Sequence, residues 1–192
     1  MNLPNKLTLS RLVLALPTAF TLLMAKDGEW LMWFISLALF SIASLTDAFD
    51  GSIARKRGIV TNFGKLLDPV ADKVLVTSVF ACFTAMKLCS PWVLIIVLTR
   101  EFLVMSIRMV AASEGTVIPA NKWGKAKTIT QMTAIITIYT IKLFQAVLPF
   151  FAAYVPWLDA VGQAMLWLSA AITVISGIIY CAGSKALFRD MK

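Results

Sequence analysis

DAFDGSIARKRGIVTNFGKLLDPVAD, residues 47–72, is the stretch on which the reading of this chain turns. It places four aspartates, Asp47, Asp50, Asp68 and Asp72, in a chain that is otherwise oily. Asp47 and Asp50 stand three residues apart and Asp68 and Asp72 four apart, so each pair shares a face if its segment is helical. Two such helices facing each other would bring four carboxylates together. Negative charge gathered beside a bilayer is costly unless cations neutralise it, because buried charges must be paired or bind metal. Oxygen-only clusters suit hard cations, and Mg²⁺ typically takes a few carboxylates and completes its shell with phosphate oxygens and water. The expectation is two Mg²⁺ ions, with Mn²⁺ as the alternative, roughly 4 Å apart on a phosphoryl centre. The competing reading makes the aspartates helix caps and surface partners of Lys56, Arg57, Lys65 and Lys73.

The rest of the chain sets the medium. Of 192 residues, 59% are hydrophobic, and the mean hydropathy is +0.83. A soluble domain has about 45–50% apolar residues. The chain therefore reads as an all-α integral membrane protein forming one domain over residues 1–192. Its net charge of +8 reports orientation and contact with anionic headgroups rather than nucleic acid, since no soluble basic domain is present. The three cysteines, Cys82, Cys89 and Cys181, sit in apolar runs without a C-x-x-C pair and read as small core residues. Histidine is absent, which removes every mechanism that needs imidazole.

Six spans are expected. A short polar segment at residues 2–10 begins an interfacial helix that runs into the first span at 12–25, lengthened by Leu7 and Leu9 toward the roughly 20 residues a bilayer requires. The second covers 30–46 and continues as helix through the first aspartate pair to residue 55, with Gly58 suited to the position after its end. The third starts near residue 62 and runs to 86. Pro69 within it should either kink the helix or mark its true start. The fourth covers 92–112, the fifth 121–148 with Asn121 as cap, and the sixth 158–181. Six spans put both termini on one side. Of the eighteen basic residues, all but Lys26, Lys87 and Lys142 fall on that side. The termini and the aspartates should thus face the cytoplasm.

Small residues accompany the aspartates. Gly51 and Ala54 follow Asp47 by four and seven positions, and Gly64 precedes Asp68 by four. They lie on the carboxylate faces, where they leave room for a ligand or let helices approach closely. Arg55, four beyond Gly51, could offer its fork to a phosphate. The whole pattern, D-x2-D-G-x2-A-R-x8-G-x3-D-x3-D, resembles the signature of the CDP-alcohol phosphatidyltransferase family without departure in residue type or spacing.

That resemblance implies transfer of a phosphatidyl group from a CDP-linked lipid, CDP-diacylglycerol, to an alcohol, with release of CMP. It implies that Asp47, Asp50, Asp68 and Asp72 hold two divalent ions on the diphosphate and that Asp72 also serves as base. Gly51, Ala54 and Gly64 would line the nucleotide pocket and Arg55 would meet its phosphates. Asn5, Thr8 and Arg11, stepping by three along one face, resemble the family's first helix. A homodimer is implied as well.

The acceptor is read from other residues. Arg100 and Arg108 interrupt LIIVLTREFLVMSIRMV, and charges within a span are costly enough to suggest function. Lys122, Lys125 and Lys127 open the fifth helix. Lys125 and Lys127 diverge by about 200° on a helix, so both cannot easily face one phosphate. Arg108 and Lys125 are favoured, with Arg100 next; snorkelling toward headgroups is the plainer account of the group. Glu101 and Arg108 are seven apart, about 10 Å along the axis, too far for a direct pair. The TRE and GKAKT stretches resemble the branch whose acceptor is glycerol 3-phosphate. Serine, an inositol phosphate or phosphatidylglycerol are the alternative acceptors. An ion-coupled transporter, with membrane carboxylates carrying a cation, is the rival from another class.

Overall fold

The computed structural model describes the backbone of residues 3–57, 62–113, 122–148 and 154–184, and the side chains of residues 9–46, 70, 73–113, 122–148 and 154–184. These residues form six helices: α1 Leu3–Met24, α2 Trp30–Arg57, α3 Asn62–Ala85, α4 Pro91–Ser113, α5 Lys122–Val147 and α6 Val155–Gly183. No strand occurs among them. Each of the six segments expected to be helical is a helix. The polar start of the chain belongs to α1 itself, which is helical from Leu3 onward. Pro69 does not begin a helix, because α3 starts at Asn62 and continues through it. Gly58 and Asn121, expected at helix ends, lie outside the described residues.

One group of helices, α1, α2 and α3, packs around α1; a second group, α4, α5 and α6, packs around α6. The groups meet where α2 and α3 touch α5 and α3 touches α4. At the junction Tyr139 of α5 sits against Trp33 and Phe40 of α2 and Phe83 of α3, with ring centroids 6.1, 6.2 and 5.5 Å away. The Tyr139 hydroxyl lies 2.8 Å from Ser36 Oγ, which itself donates to the Thr18 carbonyl of α1 at 3.0 Å. Since serine has one proton to give, the tyrosine is the donor of that pair.

The helices are apolar on both sides. On α1, Ala15, Thr18 and Leu22 are buried while Val13, Leu16 and Phe20, one register over, are 59, 75 and 64% exposed. A helix of a soluble protein turns polar residues outward, whereas here the outward stripe repeats the inward one in chemistry. Trp92, Phe102, Ile129 and Trp157 continue this exposed apolar surface on α4, α5 and α6. Among the described residues α6 alone is long and apolar enough to cross a membrane; the apolar parts of the first three helices, Leu9–Met24, Trp30–Thr46 and Lys73–Ala85, are shorter.

Tight turns join successive helices at one end of the bundle. Between α1 and α2, Gly28 adopts φ +86°, and Trp33 Nε1 donates to the Lys26 carbonyl at 3.2 Å. After α3, Lys87 takes the left-handed position (φ +60°) and the Leu88 N–H returns to the Phe83 carbonyl at 2.8 Å, the usual way of closing a helix C-terminus. Gln163 of α6 donates to the Leu88 carbonyl at 2.7 Å. Lys142 of α5, buried, reaches Asp27 at 3.5 Å and Asp159 at 3.8 Å. The three basic residues that stood apart in the sequence, Lys26, Lys87 and Lys142, therefore gather at this end. The cysteines are free, Cys82 and Cys89 buried and Cys181 half-buried. In the turn after α3, burial pushes the Cys89 thiol up to about 11, so it stays protonated and inert at neutral pH.

Candidate active site and its cationic flank

Asp47 and Asp50 belong to the C-terminal part of α2, and Asp68 and Asp72 to α3, so each pair stands on a continuous helix, as its spacing required. Gly51, Ala54 and Arg55 follow on α2, Gly64 precedes on α3, and Asn5 and Thr8 stand on α1. The side chains of all ten residues lie outside the described ones. The helices that carry the aspartate pairs, α2 and α3, each pack mainly on α1 and touch each other only lightly.

One residue beyond Asp72, the described side chains resume with a charged cluster. Its centre is Glu101, on an inward stripe of α4 whose other members, Val93, Val97, Val104, Ile107 and Ala111, are apolar or small. The Glu101 side chain is 6% exposed. Its Oε1 lies 2.5 Å from Lys127 Nζ of α5 and 3.3 Å from Arg100 Nη1, and its Oε2 lies 3.7 Å from Lys73 Nζ of α3. Four charges from three helices thus meet in a largely buried place. Burial of this kind is sustained only when each charge has partners.

Arg100 is held through both terminal nitrogens of its guanidinium. Its Nη2 donates to Ser176 Oγ of α6 at 2.8 Å, and its Nε is buried without a hydrogen-bond partner among the described residues. Its stem runs past Gly177, where a Cβ would come within 3.2 Å of Arg100 Cγ, and its tip passes Gly124 of α5. One turn beyond Lys127 on α5, Gln131 donates to Thr173 Oγ1 at 3.3 Å, and Thr173 donates to the Ser169 carbonyl at 2.6 Å. Two turns further along α4, Arg108 Nε donates to Tyr180 Oη at 3.0 Å while its guanidinium carbon lies 5.4 Å from that ring's centroid.

Among the residues read from the sequence as acceptor ligands, Arg100 and Arg108 therefore lie along one helix and both contact α6. Lys125 is exposed, while Lys127, two residues on, is buried in the cluster. The divergence expected of that pair is observed, and it is Lys127 that faces Arg100. Glu101 makes no contact with Arg108, in keeping with the axial separation; its partners are Lys127, Arg100 and Lys73. Ser176, Gln131, Thr173 and Tyr180 went unread in the sequence. Their signal was periodicity: Lys127 and Gln131 open a buried stripe on α5 that continues through Ala134 and Ile138, and Ser169, Thr173, Ser176 and Tyr180 share one on α6.

The family model for CDP-alcohol phosphatidyltransferases matches residues 1–175, a segment that contains both aspartate pairs and the whole Glu101 cluster. The chain belongs to the CDP-alcohol phosphatidyltransferase family. Within that family it is 37% identical over 190 residues to a protein of Bacillus subtilis (strain 168) named CDP-diacylglycerol–glycerol-3-phosphate 3-phosphatidyltransferase, covering 93% of each chain. A Rickettsia typhi protein of the same name is 36% identical, with 97% of this chain and 99% of the relative covered. A Mycobacterium tuberculosis (strain H37Rv) protein named probable phosphatidylglycerophosphate synthase is 35% identical over 94% of this chain and 80% of the relative. This phosphatidyltransferase thus matches such relatives over nearly its whole length.

Proposed function

We propose that this phosphatidyltransferase moves the phosphatidyl group of CDP-diacylglycerol to glycerol 3-phosphate, giving phosphatidylglycerophosphate and CMP. The observation that carries the choice of acceptor is the match to relatives named for that reaction over nearly the whole chain. The cationic flank agrees with it, since a phosphate-bearing acceptor needs buried positive charge and a neutral alcohol does not.

In the reaction the acceptor hydroxyl oxygen bonds to the phosphorus that carries diacylglycerol, the bond from that phosphorus to the CMP oxygen breaks, and the hydroxyl proton leaves. In this reading Asp72 takes the proton. Where the transition state is loose, positioning and charge neutralisation do most of the work, and a weak carboxylate base suffices. Asp47, Asp50, Asp68 and Asp72 offer oxygen donors only, the set that suits Mg²⁺ or Mn²⁺, and would hold two such ions. When bound, those ions supply charge neutralisation at the diphosphate. Gly51, Ala54, Gly64 and Arg55, with Asn5 and Thr8, form the nucleotide-lipid side. Arg108, Arg100 and Lys125, now joined by Lys127, form the acceptor side.

The six helices span the cell membrane as a single multi-pass domain, with the aspartates toward the cytoplasm and the lipid tails entering sideways, and two chains pair as a homodimer. Apolar residues on outward faces support the spanning reading, and the gathering of Lys26, Lys87 and Lys142 at one end supports the orientation. The deciding experiment is acceptor-dependent CMP release from CDP-diacylglycerol by purified protein. Turnover with glycerol 3-phosphate is expected. Turnover confined to serine, an inositol phosphate or phosphatidylglycerol would replace the acceptor, and cation flux in sealed vesicles without CMP release would replace the reaction.

A further inference from the structure

Two arginines of α4 end on hydroxyls of α6. Arg100 Nη2 donates to Ser176 Oγ at 2.8 Å, and Arg108 Nε donates to Tyr180 Oη at 3.0 Å. Ser176 and Tyr180 stand four residues apart, one turn, on the buried stripe of α6. Ser169, Thr173 and Ser184, along the same helix, donate instead to backbone carbonyls of α6 itself, the common use of a small hydroxyl in a helix. Docking of α4 on α6 does not need the arginine bonds, because the Tyr180 ring already packs with Val104 and Ile107 of α4. That packing fixes the ring, and the ring aims its hydroxyl at Arg108, whose guanidinium carbon lies 5.4 Å from the ring centroid. A guanidinium has five N–H groups. With Nε spent on Tyr180, neither Nη of Arg108 has an acceptor among the described residues. Those two nitrogens form a fork that can meet two oxygens of one phosphate. An arginine free to rotate loses that freedom when it takes a ligand, whereas one already held does not.

We propose that Ser176 and Tyr180 are positioning residues, two hydroxyls one turn apart on α6 that hold the guanidinium groups of Arg100 and Arg108 in the orientation in which they receive the acceptor's phosphate. The inference rests on the reading of those arginines as acceptor ligands. Each hydroxyl acts through its arginine, so its loss matters only while that arginine is present.

Tyr180→Phe keeps the ring and its packing and removes the hydroxyl, and Ser176→Ala removes the other. The full-length protein in detergent is assayed by CMP release across glycerol 3-phosphate and CDP-diacylglycerol concentrations, and by the rise in thermal midpoint on adding glycerol 3-phosphate, which needs no turnover. Each variant should raise the KM for glycerol 3-phosphate roughly two- to tenfold, with a far smaller change in the KM for CDP-diacylglycerol, and should shrink the midpoint rise. Repeating Tyr180→Phe on Arg108→Ala, and Ser176→Ala on Arg100→Ala, closes two double-mutant cycles. In those backgrounds the hydroxyl variants should raise the KM for glycerol 3-phosphate no further. An unchanged KM with a midpoint rise equal to wild type overturns the role. Equal rises in KM for both substrates, or effects that add in full to those of the arginine variants, would make the hydroxyls structural and overturn it as well. If Arg100→Ala and Arg108→Ala raise the KM for glycerol 3-phosphate but the hydroxyl variants do not, the positioning role fails and the acceptor-ligand reading stands. If the arginine variants also leave it unchanged, both fail. Wild type that is stabilised by glycerol 3-phosphate but releases no CMP would sink the proposed reaction and leave the midpoint cycles to judge Ser176 and Tyr180.

Discussion

Removing the Ser36 hydroxyl should destabilise the bundle more than removing the Tyr139 hydroxyl to which it is bonded, and removing both should cost less than removing Ser36 alone. The order follows from the direction of the bonds. Ser36 donates to the Thr18 carbonyl, so Tyr139 must donate to Ser36. In Tyr139→Phe the ring contacts with Trp33, Phe40 and Phe83 remain and Ser36 keeps its bond to Thr18; the loss is one net hydrogen bond, about 1 kcal/mol. In Ser36→Ala the phenol stays buried, at 0% exposure for Tyr139, and its proton has no acceptor. A stranded donor costs about 1–3 kcal/mol. The double variant Ser36→Ala/Tyr139→Phe strands nothing, so it should recover part of the Ser36→Ala loss. For a chain of this length each kcal/mol moves the thermal midpoint by about 2–4 °C. Thermal unfolding of the four proteins in detergent, closed as a double-mutant cycle, measures the coupling. A double variant as unstable as the two single losses added together would refute the assigned bond direction. CMP release per folded molecule should not change in any of them.

Other outcomes are expected at the site. Asp72→Asn should abolish turnover while largely sparing binding of the nucleotide lipid, whereas Asp47→Asn should also weaken metal binding; both are read from CMP release across a Mg²⁺ titration, and normal activity in either would contradict the roles proposed. Arg108→Ala should raise the KM for glycerol 3-phosphate more than that for CDP-diacylglycerol, and an unchanged KM would remove Arg108 from the acceptor side. Gly177→Ala sets a methyl 3.2 Å from the stem of Arg100, whose guanidinium Glu101 and Ser176 hold in place, and overpacking of this kind costs about 1–3 kcal/mol. Gly124→Ala, where the nearest atom is 3.9 Å away, should instead gain helix propensity of about 0.5–1 kcal/mol. Equal thermal midpoints for the two alanine variants would show that Arg100 is not clamped.

The helices were legible because long apolar runs leave the backbone few choices, and polar turns such as residues 25–29 punctuate the runs. The joining of α1, α2, α3 and α5 through Thr18, Ser36, Phe83 and Tyr139 was not legible. These residues are far apart in sequence, and a lone hydroxyl in an apolar run reads equally well as a helix-backbone partner, which is what Thr84 and Thr133 are. Pro69 was ambiguous for a similar reason: a proline can open a helix or interrupt one, and only the path of the backbone from Asn62 decides.

At the site, residue type announced the cations, but only register assigns them. Lys125 and Lys127 are chemically equal in the sequence, and the buried stripe Lys127, Gln131, Ala134, Ile138 separates them. Glu101 was read against Arg108 because both lie on one helix, whereas its partners come from α3, α5 and the adjacent residue. A buried cluster of this composition is a poor device for stability, since apolar side chains of similar volume would fill the same space at no desolvation cost. Lys142 at the opposite end offers the contrast. It too is buried, but its carboxylate partners Asp27 and Asp159 are 88 and 44% exposed and remain in contact with water, and two acids answer one base. Around Glu101, among the described residues, three bases approach one largely buried acid. Pairing alone explains the Lys142 knot. The cluster around Glu101 draws its charges from three helices, so it also ties α3, α4 and α5 together.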